Sequence, residues 1–173
     1  LVQAGVYEAF VNKLVARVQT LRVGPGTEPG VQVGPLIDQQ ALEKVQAHLD
    51  DALAHGARLM AGGKALGGLF FEPTVLADAT ADMRCAREET FGPLAPVFRF
   101  ETEDQAIAMA NDTEFGLACY FYSRDIGRVW RVAEGLEYGM VGINVGVCAP
   151  HPYMPFGGIK ESLVGNNKVQ GKE

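Results

Sequence analysis

Apolar positions recur along the chain with two different periods, and these divide it into alternating helices and strands. The opening Leu1-Val2-Gln3 is strand-like. Tyr7, Phe10, Val11, Leu14, Val15, Val18 and Leu21 then repeat at helical spacing, with Glu8, Asn12, Lys13 and Arg17 between them, which predicts a helix with one buried face. Val23-Gly24-Pro25-Gly26 stops it, and the prolines and glycines of residues 27–35 predict a loop. Asp38 is the expected N-cap of a second helix, with Leu42, Val45, Leu49, Ala52 and Leu53 as its buried stripe and Gly56 as its C′ residue. Residues 57–60 predict a short strand, and residues 69–76 a second extended run around Pro73.

The alternation is clearest further on. Residues 94–100 predict a buried strand. Thr102-Glu103-Asp104-Gln105 fits a capping box, so a helix is expected there, with Ala106, Ile107 and Ala110 on its apolar face. A strand over 117–122 follows Gly116. Ser123 or Asp125 caps the next helix, whose stripe is Ile126, Val129, Trp130, Ala133 and Leu136, and a strand over 140–144 follows Gly139. Strands alternating with helices predict an α/β fold with a mainly parallel sheet, in which ligands sit at the carboxyl ends of strands. Residues 163–173 carry no helix or strand pattern.

Composition narrows the function. The net charge of −6 disfavours nucleic acid as a partner and argues against a polybasic membrane patch. No apolar run approaches the ~18 residues of a membrane span. Three cysteines without regular spacing do not form a disulfide framework, which favours a reducing compartment. The 21 glycines in 173 residues exceed the usual ~7% and lack a collagen period, so the excess belongs in turns. The chain begins at Leu1 rather than Met, and its opening reads as the interior of a longer protein.

Four segments are more specific than a fold requires: Arg87-Glu88-Glu89-Thr90-Phe91-Gly92-Pro93, Asn111-Asp112-Thr113-Glu114-Phe115-Gly116-Leu117, Gly142-Ile143-Asn144, and Pro155-Phe156-Gly157-Gly158-Ile159-Lys160-Glu161-Ser162. The first places two carboxylates on a turn rather than on a helix face. A carboxylate held there can accept both hydroxyls of a ribose; the alternative is an acidic pair facing solvent. His48 and His55, on or just after the second helix, are expected to face solvent. Cys148 and His151 have a C-x-x-H spacing, but two ligands do not make a zinc site. No Ser-His-Asp set, P-loop or G-x-G-x-x-G pattern is present.

Glu88-Glu89-Thr90-Phe91-Gly92-Pro93 resembles the Glu-Glu-x-Phe-Gly-Pro motif of the NAD(P)-dependent aldehyde dehydrogenase superfamily. The other three segments resemble further signatures of its catalytic domain, in the same order. Residues 89–98, 111–118, 121–125 and 136–144 look most like succinate-semialdehyde dehydrogenases. The resemblance implies a Rossmann-like parallel sheet with flanking helices. It makes residues 1–173 a fragment of the catalytic domain, its C-terminal part, without the nucleophile segment, cofactor domain or terminal oligomerisation strand.

By the same resemblance, Glu89 binds the nicotinamide ribose of NAD or NADP and Phe91 packs near the nicotinamide ring. Phe156 lines the substrate tunnel, and Cys148 and Ala149 lie in the tunnel loop. None of Cys85, Cys119 and Cys148 has the family's Gly-Gln-x-Cys context. The nucleophile and the general-base Glu are therefore expected upstream, and the chain alone is expected to be inactive. Cys85 and Cys119 are expected as small buried hydrophobes. The partners implied are a small aldehyde, succinate semialdehyde first, and other copies of the enzyme, in the cytoplasm or, in a eukaryote, the mitochondrial matrix.

Two features depart from the pattern. Residues 145–154 read Val-Gly-Val-Cys-Ala-Pro-His-Pro-Tyr-Met, without the Ser that succinate-semialdehyde dehydrogenases use for the substrate carboxylate. This loop and Leu163-Val164-Gly165 look more like the methylmalonate-semialdehyde type, which implies coenzyme A-dependent acylation as an alternative. A non-catalytic oligomerisation or interaction module is a further alternative.

Overall fold

The computed structural model describes residues 1–147 and 155–163. Its chain divides into two compact units, Leu1–Glu101 and Thr102–Glu173.

The first unit is a sheet with a helix on each face. In chain order it contains β1 (Val2–Gln3), a 3-10 turn (Ala4–Val6), α1 (Tyr7–Val18), α2 (Gln39–Ala54), β2 (Arg58–Ala61), β3 (Ala65–Gly67), β4 (Phe70–Phe71), β5 (Thr74–Ala79), α3 (Arg84–Arg87) and β6 (Leu94–Phe100). The sheet order is β1-β6-β5-β2. β6 runs parallel to both β1 and β5, and β2 closes the edge antiparallel to β5.

β5 is one of the two interior strands, and its residues alternate between two cores, as strand geometry requires. Val75 and Ala77 pack with Tyr7 and Val11 of α1 and with Val97 of β6. Leu76 packs with Val45, Leu49 and Ala52 of α2 and with Phe71 and Met83. Asp78 then adopts a left-handed backbone with φ 57°. The β5–β6 register shifts between Leu76 and Ala79, so Ala79 joins the α2 cluster out of step. The fully buried Tyr7 secures this irregularity. Its hydroxyl donates to the Val97 carbonyl (2.9 Å) and accepts from the Asp78 N–H (2.6 Å).

Local signals set the helix ends. The Asp38 carboxylate accepts from the Ala41 N–H (2.8 Å) at the start of α2. Gly56 takes φ 95° just after the helix, a conformation that suits glycine. The extended run expected over 69–76 is two strands instead, because Pro73 brings no N–H to a ladder. β4 precedes it and pairs with β3 in a hairpin, while β5 follows it and runs on to Ala79.

The second unit contains α4 (Glu103–Asn111), β7 (Phe115–Gly116), β8 (Ala118–Phe121), α5 (Ile126–Gly135), β9 (Met140–Ile143) and β10 (Ile159–Lys160). β8 and β9 are parallel and joined through α5, and β7 pairs antiparallel with β10. The Thr102 hydroxyl caps α4 by accepting from the Gln105 N–H. At α5 the cap is Asp125, which accepts from the Arg128 N–H (2.6 Å).

The stripe expected on α5 is only partly covered. Val129, Ala133 and Leu136 are half-buried together with Val132, but Ile126 and Trp130 are 71% and 63% exposed. The apolar arc of α5 is wider than the surface that its neighbours α4 and β9 offer it.

Candidate functional site

The segment after α3 departs from helix at once. Glu88 is extended (φ −105°, ψ 138°), and residues 88–93 hold no helix or strand. Along it, alternate residues are tied to α2. Glu88, Thr90 and Gly92 make the attachments, with Glu88 still open to solvent, while the intervening Glu89 and Phe91 are exposed. A Cβ on Gly92 would lie 2.3 Å from Val45 Cγ2, so only glycine lets the segment lie this close to the helix. One turn along α2, His48 Nδ1 is 2.9 Å from Thr90 Oγ1 and His48 Nε2 is 3.2 Å from Glu88 Oε2.

His48 is fully buried, which corrects the expectation that it faces solvent. Its place at i+3 from Val45, in line with Leu49 and Ala52, sets it in the apolar stripe. Helical periodicity could have found it. Glu88 also takes two hydrogen bonds from the Arg84 guanidinium, each 3.0 Å. The Arg84 guanidinium first, and His48 after it, hold the Glu88 carboxyl down to about 2. Glu88 is therefore the structural carboxylate of the pair, and Glu89 is the one presented outward.

Phe91 carries its ring 82% exposed on a left-handed backbone, φ 49°. Such a conformation costs a non-glycine residue about 1–3 kcal/mol and persists where neighbours over-determine it. Here the neighbours are Thr90 and Gly92, both fastened to α2. Beyond Gly92 the Pro93 carbonyl accepts from the Thr74 N–H (2.8 Å), which joins the segment to the start of β5.

In the second unit the other signature segments gather around Lys160. Its ammonium donates to the carbonyls of Asn111 (2.8 Å) and Thr113 (3.1 Å) and pairs with Glu137 at 2.8 Å. The Asn111 amide donates to the Gly135 carbonyl (2.7 Å), and its Oδ1 accepts from the Glu137 N–H (2.9 Å). The Glu161 N–H donates to the Glu114 carbonyl, and the Gly116 N–H to Ser162 Oγ. A Cβ on Gly139 would lie 1.9 Å from the Gly157 carbonyl oxygen. Asn144, at φ 57°, bonds both the N–H and the carbonyl of Ser123 with its side-chain amide.

These residues therefore brace the segment that carries Phe156, whose side chain is 37% exposed. Their spacing in sequence gives no hint that Lys160 serves three partners, because those bonds span 23–49 residues.

Cys85 is half-buried in α3 and Cys119 half-buried in β8. Burial pushes the Cys85 thiol up, the opposite of what a nucleophile needs. Cys148, Ala149 and His151 lie outside the described residues. Among the described residues there is no group of three or more His, Cys, Asp or Glu placed to hold a metal, and no helix long and apolar enough to cross a membrane.

The model of the aldehyde dehydrogenase family matches residues 1–173. The chain belongs to the aldehyde dehydrogenase family. Among curated relatives, it is similar to 3-sulfolactaldehyde dehydrogenase of Pseudomonas putida, 60% identical over 95% of this chain and 34% of the relative. It is similar to an NADP(+) succinate-semialdehyde dehydrogenase of Escherichia coli (strain K12) at 56% identity, with the same shares covered. Among solved structures, succinate-semialdehyde dehydrogenase from Burkholderia pseudomallei matches with a TM-score of 0.91 and 60% identity, over 96% of this chain and 35% of that one. This aldehyde dehydrogenase chain thus spans about a third of the length of the curated relatives it matches.

Proposed function

We propose that this chain is part of an enzyme that oxidises a semialdehyde to the carboxylic acid with NAD or NADP. The observation that carries the proposal is the alternate anchoring of residues 88–92. A carboxylate and an aromatic ring face outward from a backbone fastened to α2 at Glu88, Thr90 and Gly92. These two side chains fit a nicotinamide nucleoside. Glu89 accepts hydrogen bonds from two ribose hydroxyls, and Phe91 presents a flat apolar surface to the nicotinamide ring. The bound dinucleotide supplies the hydride acceptor. Glu89 and Phe91 fix the aim of its ring, and such orientation carries much of the advantage of a bound reaction.

Phe156 is the aldehyde-site residue in this reading, and an aromatic side chain there would keep water from the reacting carbon. Cys148 and Ala149, which lie outside the described residues, are proposed for the same site from sequence alone. The nucleophilic cysteine and the general-base glutamate belong to parts of the enzyme other than residues 1–173. The cysteine attacks the aldehyde, and after hydride departure water resolves the thioester.

The relatives' names support an aldehyde with an anionic group at its far end: one is a sulfonate and the other a carboxylate. Succinate semialdehyde is the substrate we place first. The enzyme is a homo-oligomer of the cytoplasm, or of the mitochondrial matrix in a eukaryote. The test is a panel of succinate semialdehyde, methylmalonate semialdehyde and uncharged simple aliphatic aldehydes on the complete protein, followed by nicotinamide reduction. Turnover is expected to be fastest with succinate semialdehyde. Equal turnover of the uncharged aldehydes would refute the substrate class.

A further inference from the structure

We infer that His48 is a positioning residue for the nicotinamide site, acting through Glu89; this rests on the proposal that Glu89 holds the ribose. His48 touches neither Glu89 nor Phe91 in any contact described above. It bonds instead to the residues on both sides of Glu89, through Nε2 to Glu88 and Nδ1 to Thr90. Fastening the residue on each side of Glu89 leaves its backbone little freedom, and that limits where its carboxylate can point.

The chemistry of the contacts sets the proton on the ring. The Glu88 carboxyl is held ionised by Arg84 and His48, and an ionised carboxylate only accepts hydrogen bonds. Nε2 therefore carries a hydrogen toward Glu88. In the neutral ring Nδ1 accepts, so the Thr90 hydroxyl donates to it. A neutral ring thus satisfies both partners at once, with Thr90 O–H donating on one side and Nε2–H donating on the other.

The base of this clamp is rigid. His48 lies among fully buried residues of α2, Val45 and Ala52 with the nearly buried Leu49, and Val45 also meets Gly92. Glu89 and Phe91 are thus held through three neighbouring residues by two, Val45 and His48, on one helix face. An ordinary buried histidine needs partners for both nitrogens, but it does not need both partners to flank one exposed carboxylate.

A double-mutant cycle in the complete protein separates positioning from simple packing. Glu89→Gln is measured first. If it leaves kcat unchanged, the ribose proposal fails and takes this inference with it. If it lowers kcat, His48→Leu is expected to lower kcat roughly ten- to hundredfold, with a smaller change in KM for the dinucleotide. The pair His48→Leu with Glu89→Gln is then expected to be no slower than Glu89→Gln alone.

Losses that multiply in the double variant overturn the inference, because His48 would then act by a route other than Glu89. An unchanged kcat in His48→Leu overturns it as well, while leaving the ribose proposal standing. Should His48→Leu fail to fold, Thr90→Val removes one of the two bonds without entering the α2 core. It is expected to show the same loss and the same non-additivity with Glu89→Gln, and multiplying losses or an unchanged kcat would overturn the inference there too.

Discussion

Gly92 lies so close to Val45 that a Cβ at Gly92 would meet Val45 Cγ2 at 2.3 Å. Val45 is fully buried and, being β-branched, has little rotamer freedom in a helix. The segment must therefore move if Gly92 gains a methyl group. Gly92→Ala is expected to destabilise the protein by about 1–3 kcal/mol, the usual range for overpacking. A lower denaturant midpoint checks this, and an unchanged midpoint would mean that α2 yields more readily than its packing indicates.

Tyr7 makes a sharper test of the first unit. Its hydroxyl is the partner of the Asp78 N–H, where the left-handed Asp78 shifts the register of β5 against β6. Tyr7→Phe keeps the ring and leaves that N–H without its partner. A loss of about 1–3 kcal/mol is expected, read from urea unfolding with an unchanged m-value.

Glu88 predicts a pH dependence. Its carboxyl is held at about 2 against an ordinary 4.5, by Arg84 first and His48 second. A carboxyl held below its ordinary value stabilises the folded state above 4.5, and this contribution is lost as the pH falls toward about 2. The wild-type protein should therefore exceed Glu88→Gln in Tm at neutral pH, and the difference should shrink over that acid window. A difference constant with pH would remove the ion pair from the account.

Lys160 is expected to matter for the aldehyde more than for the dinucleotide. It ties the carbonyls of Asn111 and Thr113 to the segment carrying Phe156. Lys160→Met removes those donors while keeping much of the stem. KM for the aldehyde should rise severalfold, with KM for the dinucleotide little changed. Steady-state kinetics in both substrates decide it, and an equal rise in the two would assign Lys160 to general stability.

What the sequence disclosed follows from the range of the forces involved. Asp38, Gly56 and Thr102 act within a turn of their own position, so local chemistry revealed them. The alternation of helices and strands was legible because burial imposes its period on the chain. The left-handed Asp78 was not, since it depends on Tyr7, 71 residues away. The polarity of His48 points it to solvent although it occupies a core position in the stripe, and the apolarity of Trp130 points it inward although α4 and β9 leave it exposed. The segment 88–93 was recognisable as a turn bearing two carboxylates. Which carboxylate is structural and which is presented outward required the contacts of Arg84 and His48.

The most direct test of the central claim is the steady-state kinetics of Glu89→Gln in the complete protein with succinate semialdehyde. The side chain keeps its size and loses the charge that accepts the ribose hydroxyls. A charge-assisted hydrogen bond is worth about 1.5–3 kcal/mol, so kcat should fall by roughly ten- to hundredfold. KM for the dinucleotide should change less, because the ring is misaimed more than the dinucleotide is released. An unchanged kcat would contradict the assignment of Glu89, and with it the nicotinamide site proposed for residues 88–92.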